Sequence, residues 1–259
     1  MPTHVTEEHQ LPRVDLAHVA QSASRVQTYA WIGGSLALVS VLAGGFGEAY
    51  VPMTVVAAND AAATASNLVQ HDLLVRFGFA SYLVEALSDV GLALILYALL
   101  RPVQRDVALL ATFFRLIGTT GFAVAQLIRF AALPLAHHPT APGGFSPAQL
   151  DSLTLQSINL GQYGATFFMM FYGMGFVLTG WLMLRAAYLP KFLGVLMLIT
   201  GAGFMLRTLL WVLAPAYASP LLLLPAIFAG LALGLWLLAK GVDLGNWREQ
   251  ETNDQVQGL

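Results

Sequence analysis

The sequence predicts an all-α, polytopic integral membrane protein whose six transmembrane helices are arranged as three helical hairpins. Three observations carry that expectation. Hydrophobic residues fill 57% of the 259 positions and charged residues only 10%, and the mean hydropathy is +0.69, well above what a soluble domain shows. Six apolar runs are long enough for a bilayer core, which takes about 20 helical residues to cross. The basic residues gather in alternate links between those runs.

The first run covers residues 29–50 and stops just before Pro52. The second (77–100) and third (107–131) are joined by the short link Arg101-Pro102-Val103-Gln104-Arg105-Asp106, which forces an antiparallel hairpin. The fourth (161–184) and fifth (192–213) are separated by a link ending in Pro190-Lys191, and the sixth spans 221–240. Before the first run lies a polar tail, residues 1–27, whose His4, Glu7, Glu8, Arg13 and Asp15 are foreign to a signal peptide. Within it, residues 11–27 are open to either a short interfacial helix or a flexible chain. The tail 242–259 is polar, and disorder is expected from Gly245 onward. The organisation is thus a tail (1–27), a six-helix domain (28–241) and a second tail (242–259).

Orientation follows from charge. Arg13, Arg25, Arg101, Arg105, Arg185, Lys191, Lys240 and Arg248 fall in the tails and links of one face, whereas 52–75, 132–160 and 214–220 hold no Lys or Arg. The positive-inside rule makes that face cytoplasmic, so both termini are expected inside and the chain is expected to sit in a plasma membrane. Arg76, Arg115, Arg129 and Arg207 remain in or beside the spans and are not explained by topology.

Several classes drop out. A net charge of −2 without a basic stripe argues against nucleic acid. The chain has no cysteine, hence no disulfide, thiolate metal site or catalytic thiol. No phosphate-binding Gly loop, Ser-His-Asp order or zinc-type His spacing appears, so no cofactor and no metal are expected. His71-Asp72 and His137-His138 lie in loops with too few companions for a metal.

The polar residues inside the spans recur at helical spacing. Ser81, Glu85, Ser88 and Asp89 share one face of the second span, and Arg115, Thr119, Phe122, Gln126 and Arg129 step along one face of the third. Asp89 lies roughly a dozen residues before the link and Arg115 ten after it, which at about 1.5 Å per residue puts both at one depth. Unpaired charges there would be expensive, so Asp89 and Arg115 are expected to pair, whether to fix helix register or to serve function. Antiparallel register also predicts Glu85 near Phe122 and Ser81 near Gln126. Glu48 near the end of the first span, Arg207 in the fifth, and Gln156, Asn159, Gln162 and Tyr163 before and at the start of the fourth extend this polar seam. The expected ligand-binding set is Glu48, Glu85, Gln126, Arg129 and Arg207, with Glu48 and Glu85 the candidate catalytic groups. Arg76 and Arg129 also lie close enough to helix ends to reach head groups.

Other features read as packing. Ala226, Gly230 and Gly234 form a small-residue stripe, and Gly44, Gly45 and Gly47 allow either close packing or a local helix break. The run Phe167 to Tyr172 suits lipid-facing and core surface. Residues 119–134 align without gaps to 200–215, which sets Gln126 opposite Arg207.

The segments Gly44-Gly45-Phe46-Gly47-Glu48, Leu87-Ser88-Asp89, Tyr97-Ala98-Leu99-Leu100-Arg101-Pro102-Val103 and 109–118 resemble the domain-of-unknown-function 4386 family of bacterial membrane proteins. The resemblance runs from about Tyr29 to Lys240. It implies a six-helix protein of the bacterial inner membrane and draws attention to Glu48, Asp89 and Arg115, but supplies no activity. From the residues themselves three functions stay open. The first is binding or transport of a small anionic or zwitterionic amphiphile in a pocket open to the outer side, with membrane lipid as neighbour and Arg supplying bidentate contacts. The second is an intramembrane enzyme acting on a lipid-like substrate with Glu48 or Glu85 as general acid or base. The third is a ligand-free scaffold.

Overall fold

The computed structural model describes residues 16–137 and 144–257. Its helices are α1 (Leu16–Gly44), α2 (Val51–Val55), α3 (Ala61–Gln70), α4 (Asp72–Leu100), α5 (Arg105–Phe130), α6 (Ala132–Ala136), α7 (Pro147–Arg185), α8 (Lys191–Leu213), α9 (Leu224–Ala239) and α10 (Leu244–Gln257). Among the described residues six stretches are long and apolar enough to cross a membrane: Ser24–Val55, Asp72–Leu100, Arg105–Ala136, Pro147–Arg185, Lys191–Leu213 and Pro220–Ala239. The three hairpins close into a ring, because α1 packs on both α4 and α9, α5 on α4 and α7, and α8 on α7 and α9. The ring has a basic face, carrying the links at Arg101 and Lys191, and an opposite loop face.

Between α1 and α9 the ring closes through glycines. A Cβ at Gly34 would stand 2.9 Å from the Gly234 carbonyl oxygen, so the small-residue stripe works as a close-approach seam. The glycine-rich end of α1 does something different. It continues as a π-helical turn, Gly45–Tyr50, in which the Val51 amide donates to the Phe46 carbonyl. Pro52 supplies the reason: it has no N–H to offer the carbonyl four residues back, and its ring crowds that carbonyl, which is Glu48's own. A wider turn relieves the clash. One extra residue in a turn rotates the remainder of the helix by about 100°, so π turns often re-aim side chains at sites.

The loop face is more ordered than its composition suggests. Asp60 accepts from the Ala63 amide at 2.9 Å and starts α3, while Ser146 and Gln149 form a reciprocal capping box that starts α7 with Pro147 in its first turn. The expected fourth span is therefore lengthened by fourteen residues, from 161 back to Pro147, and α7 packs its extra turns on α3 and α6. Val55, Leu68, Ala132 and Leu133 form a small buried cluster there. At the second-span start Arg76 holds Asp72 at 2.7 Å, and His137 Nε2 lies 2.7 Å from the other Asp72 oxygen. Its neighbour His138 lies outside the described residues, as do residues 1–15 of the first tail.

The second tail departs from the expected disorder. Residues 244–257 form α10, and Trp247 is buried with its indole N–H donating to the Leu99 carbonyl at 3.2 Å. Tyr188 donates to the same carbonyl at 2.6 Å, and burial, helped by the Glu251 carboxylate, raises its phenol above the ordinary range so that it remains a neutral donor. Arg101 meets Glu251 at 3.3 Å. One aromatic anchor and satisfied backbone carbonyls thus hold a helix whose own surface is polar. Residues 16–27 likewise belong to α1 rather than to a separate interfacial helix.

Candidate intramembrane site

At the centre of the ring is a cavity of about 380 Å³ lined by residues from all six spans. Its polar lining includes Ser40 and Glu48 from the first span, Tyr82, Glu85 and Asp89 from α4, Arg115 and Thr119 from α5, and Tyr172 from α7. The rest is largely apolar. Charges gather at its middle. Arg115 Nη2 stands 3.6 Å from Asp89 Oδ1, and both residues are buried. Tyr172 is wedged against both: its hydroxyl donates to Asp89 Oδ2 and lies 3.5 Å from Arg115 Nη2. Ser40 donates to Asp89 Oδ1 at 2.9 Å. The Arg115 guanidinium also sits over the Phe176 ring at 4.8 Å, a cation–π arrangement suited to a desolvated cation.

Nearer the loop face stand the two glutamates. Glu85 leans on Gly44, whose missing side chain leaves room, since a Cβ there would be 2.5 Å from Glu85 Oε1. Its Oε2 is buried and, among the described residues, accepts no hydrogen bond. Among the described residues, the charged groups acting on Glu85 are the carboxylates of Glu48 and Asp89. Glu48, on the π turn, is exposed. Among the described residues, the groups acting on it are the Arg129 guanidinium, the Tyr82 hydroxyl, the Asp89 carboxylate and, most weakly, Arg207.

The sequence-predicted residues are thus divided. Glu48, Glu85, Asp89 and Arg115 share the central cavity. Gln126 and Arg129 instead line a second cavity of about 80 Å³, which is of a size for water rather than a head group. There Arg129 donates to Gln162, while Gln126 Nε2 and Arg129 Nε are buried and find no hydrogen-bond partner among the described residues. Arg207 lines neither cavity; it is directed at Thr166 Oγ1 and Met169 Sδ, 3.4 and 3.3 Å away. Phe122 lines the central cavity with Glu85, as antiparallel register requires. Ser81 does not reach Gln126 but donates to the Ala43 carbonyl at 2.8 Å.

Sequence reasoning misses Tyr172 and Ser40. Tyr172 sits in a run that reads as lipid-facing, and only part of the run is: Phe167 is exposed while Met169 and Tyr172 point inward. Helical spacing could flag Tyr172 as a hydroxyl among apolar neighbours, but nothing local says which helix it meets. Ser40 is one serine in an apolar helix, and only ring closure brings it to Asp89.

These features define a class, a ring of six membrane-crossing helices around a carboxylate-rich interior. Residues 32–241 match the family described as domain of unknown function (DUF4386), and the chain belongs to that family. An uncharacterized protein of the archaeon Archaeoglobus fulgidus is 28% identical over 153 residues, covering 59% of this chain and 76% of the relative. No solved structure matches.

Proposed function

We propose that the protein binds, and moves between membrane and loop face, a small amphiphile whose head group is zwitterionic or cationic. One observation carries the reading: Glu85 is a carboxyl with an unpartnered buried oxygen whose charged neighbours are two more carboxyls. Among the described residues three carboxyls and one guanidinium line the cavity; Arg115 stands against Asp89 and Arg129 acts on Glu48 from outside the cavity, so Glu85 is the acid in surplus. In a low-dielectric interior such a surplus must be offset by protons or by a cation. A cationic or zwitterionic head is favoured over an anionic one because Arg129 and Arg207, the arginines that would have gripped an anion, do not line this cavity and act on Glu48 from outside it. Asp89 and Arg115 are read as an ion pair that, with Tyr172, fixes the cavity floor. The volume lies within the usual range for small-molecule sites, about 300–1,000 Å³.

Three amphiphiles with one tail and different heads test this: decyltrimethylammonium, decylphosphocholine and decanoate, titrated onto the protein in nanodiscs. The trimethylammonium and phosphocholine heads should bind at least about tenfold more tightly than the carboxylate, and Glu85→Gln should lose that margin, about 1.4 kcal/mol. Equal or stronger binding of decanoate would reject the reading.

The site is further proposed to lie in a plasma membrane with the basic face toward the cytoplasm. The native chain has no cysteine, so single cysteines report orientation cleanly. Substitutions at the exposed Ala58 and Ala148 should react with an impermeant thiol reagent on intact cells, and those at the exposed Gln104 and Ala187 should not. The opposite pattern would invert the orientation.

A further inference from the structure

We propose that the gap between the π turn and α9 is a lateral slot in which the acyl chain of a membrane phospholipid lies while its head reaches Glu48 and Glu85. This rests on the amphiphile reading and adds the route and the tail. The lining residues that α4, α5, α7 and α8 contribute to the central cavity are buried or half-buried. The exposed ones are Gly45, Glu48 and Ala49 on one side and Pro220, Leu224 and Ile227 on the other. The cavity therefore opens between the first and last spans.

The local packing explains why it opens there. Deeper in the ring Gly34 and Gly234 close α1 against α9, but the π turn packs instead on α4, with Gly47 against the Gly78 carbonyl oxygen. At Gly45 a Cβ would meet nothing within 4 Å. Ten residues, about 15 Å of helix, separate Gly45 from the end of the span at Val55, and Pro220 begins the last span, so the opening runs from the rim down to acyl-chain depth. Its flanks are hydrocarbon-facing, for Leu42, Met53 and Phe228 are 70%, 83% and 62% exposed. Apart from Glu48, the residues at the opening are apolar or glycine, which favours a tail over a hydrated ion as the occupant.

The test uses phosphatidylcholine carrying a diazirine at mid-chain, in vesicles of phosphatidylcholine and phosphatidylglycerol that contain the full chain. After photolysis, label should concentrate on residues 41–49 and 220–227. Gly45→Trp or Ala49→Trp, each filling the slot, should cut that labelling by about tenfold, whereas Phe113→Trp on an exposed part of α5 should leave it unchanged. Label spread evenly over all exposed spans, or unaffected by both slot variants in folded protein, would overturn the slot. Binding of glycerophosphocholine, which has no tail, is measured in parallel. If it binds while the slot stays unlabelled, the head-group reading survives and the lateral route fails; if the slot is labelled but Glu85→Gln leaves head preference intact, the reverse holds.

Discussion

Asp89→Asn is expected to destabilise the protein by about 3–5 kcal/mol, because it leaves the Arg115 guanidinium, 2% exposed, with no opposing charge in the cavity floor. The hydrogen bonds from Ser40 and Tyr172 can be kept in part by an asparagine oxygen, so the loss is chiefly that of the stranded cation. Arg115→Met should cost a similar amount for the mirror-image reason. The double variant should recover much of the loss, since two neutral groups of similar size replace two charges, and the coupling between the sites should exceed about 0.5 kcal/mol. Melting of the four proteins in detergent measures this cycle. Purely additive losses would mean that the 3.6 Å approach carries no pairing.

Gly47→Leu is expected to cost about 1–3 kcal/mol, the usual range for forced overpacking. A Cβ at 47 would stand 2.8 Å from the Gly78 carbonyl oxygen, which belongs to α4 and cannot swing aside as a side chain would. The π turn would have to lift off α4, carrying Glu48 with it. Gly45→Ala is the internal control. Two residues earlier, the same added carbon meets open space, and its effect should stay within about 0.5 kcal/mol. Equal damage at both positions would show that glycine flexibility, not close approach, is what the turn requires.

The contrast between these glycines shows how far the sequence can be read. Apolar run length is enough to place six spans, because burial in lipid leaves a backbone no alternative to closed helices. The depth of Asp89 and Arg115 is legible because one short link fixes the register of α4 against α5. Which groups surround them is not. Tyr172 and Ser40 come from helices far away in sequence, and helical periodicity says which residues share a face without saying what that face meets. Arg129 and Arg207 look equivalent as intramembrane cations, yet one turns to Gln162 and the other to Thr166 and Met169. The α7 extension does leave a signal, the Ser146-Pro147 start with Gln149 three residues after the cap. The ordered second tail leaves little: its anchoring depends on Trp247 finding a carbonyl on α4, a tertiary event on a polar background.

The central claim is that the Glu85 carboxyl, left without an opposing cation inside the ring, selects the head group of a bound amphiphile. Mild extraction of the native protein, and then mass spectrometry of whatever remains bound, tests it most directly. The expected result is a lipid or amphiphile bearing a quaternary or protonated amine, retained by the native chain and largely lost from Glu85→Gln. Retention of purely anionic lipid, equally by both proteins, would contradict the claim, and an empty cavity in both would leave a six-helix membrane scaffold.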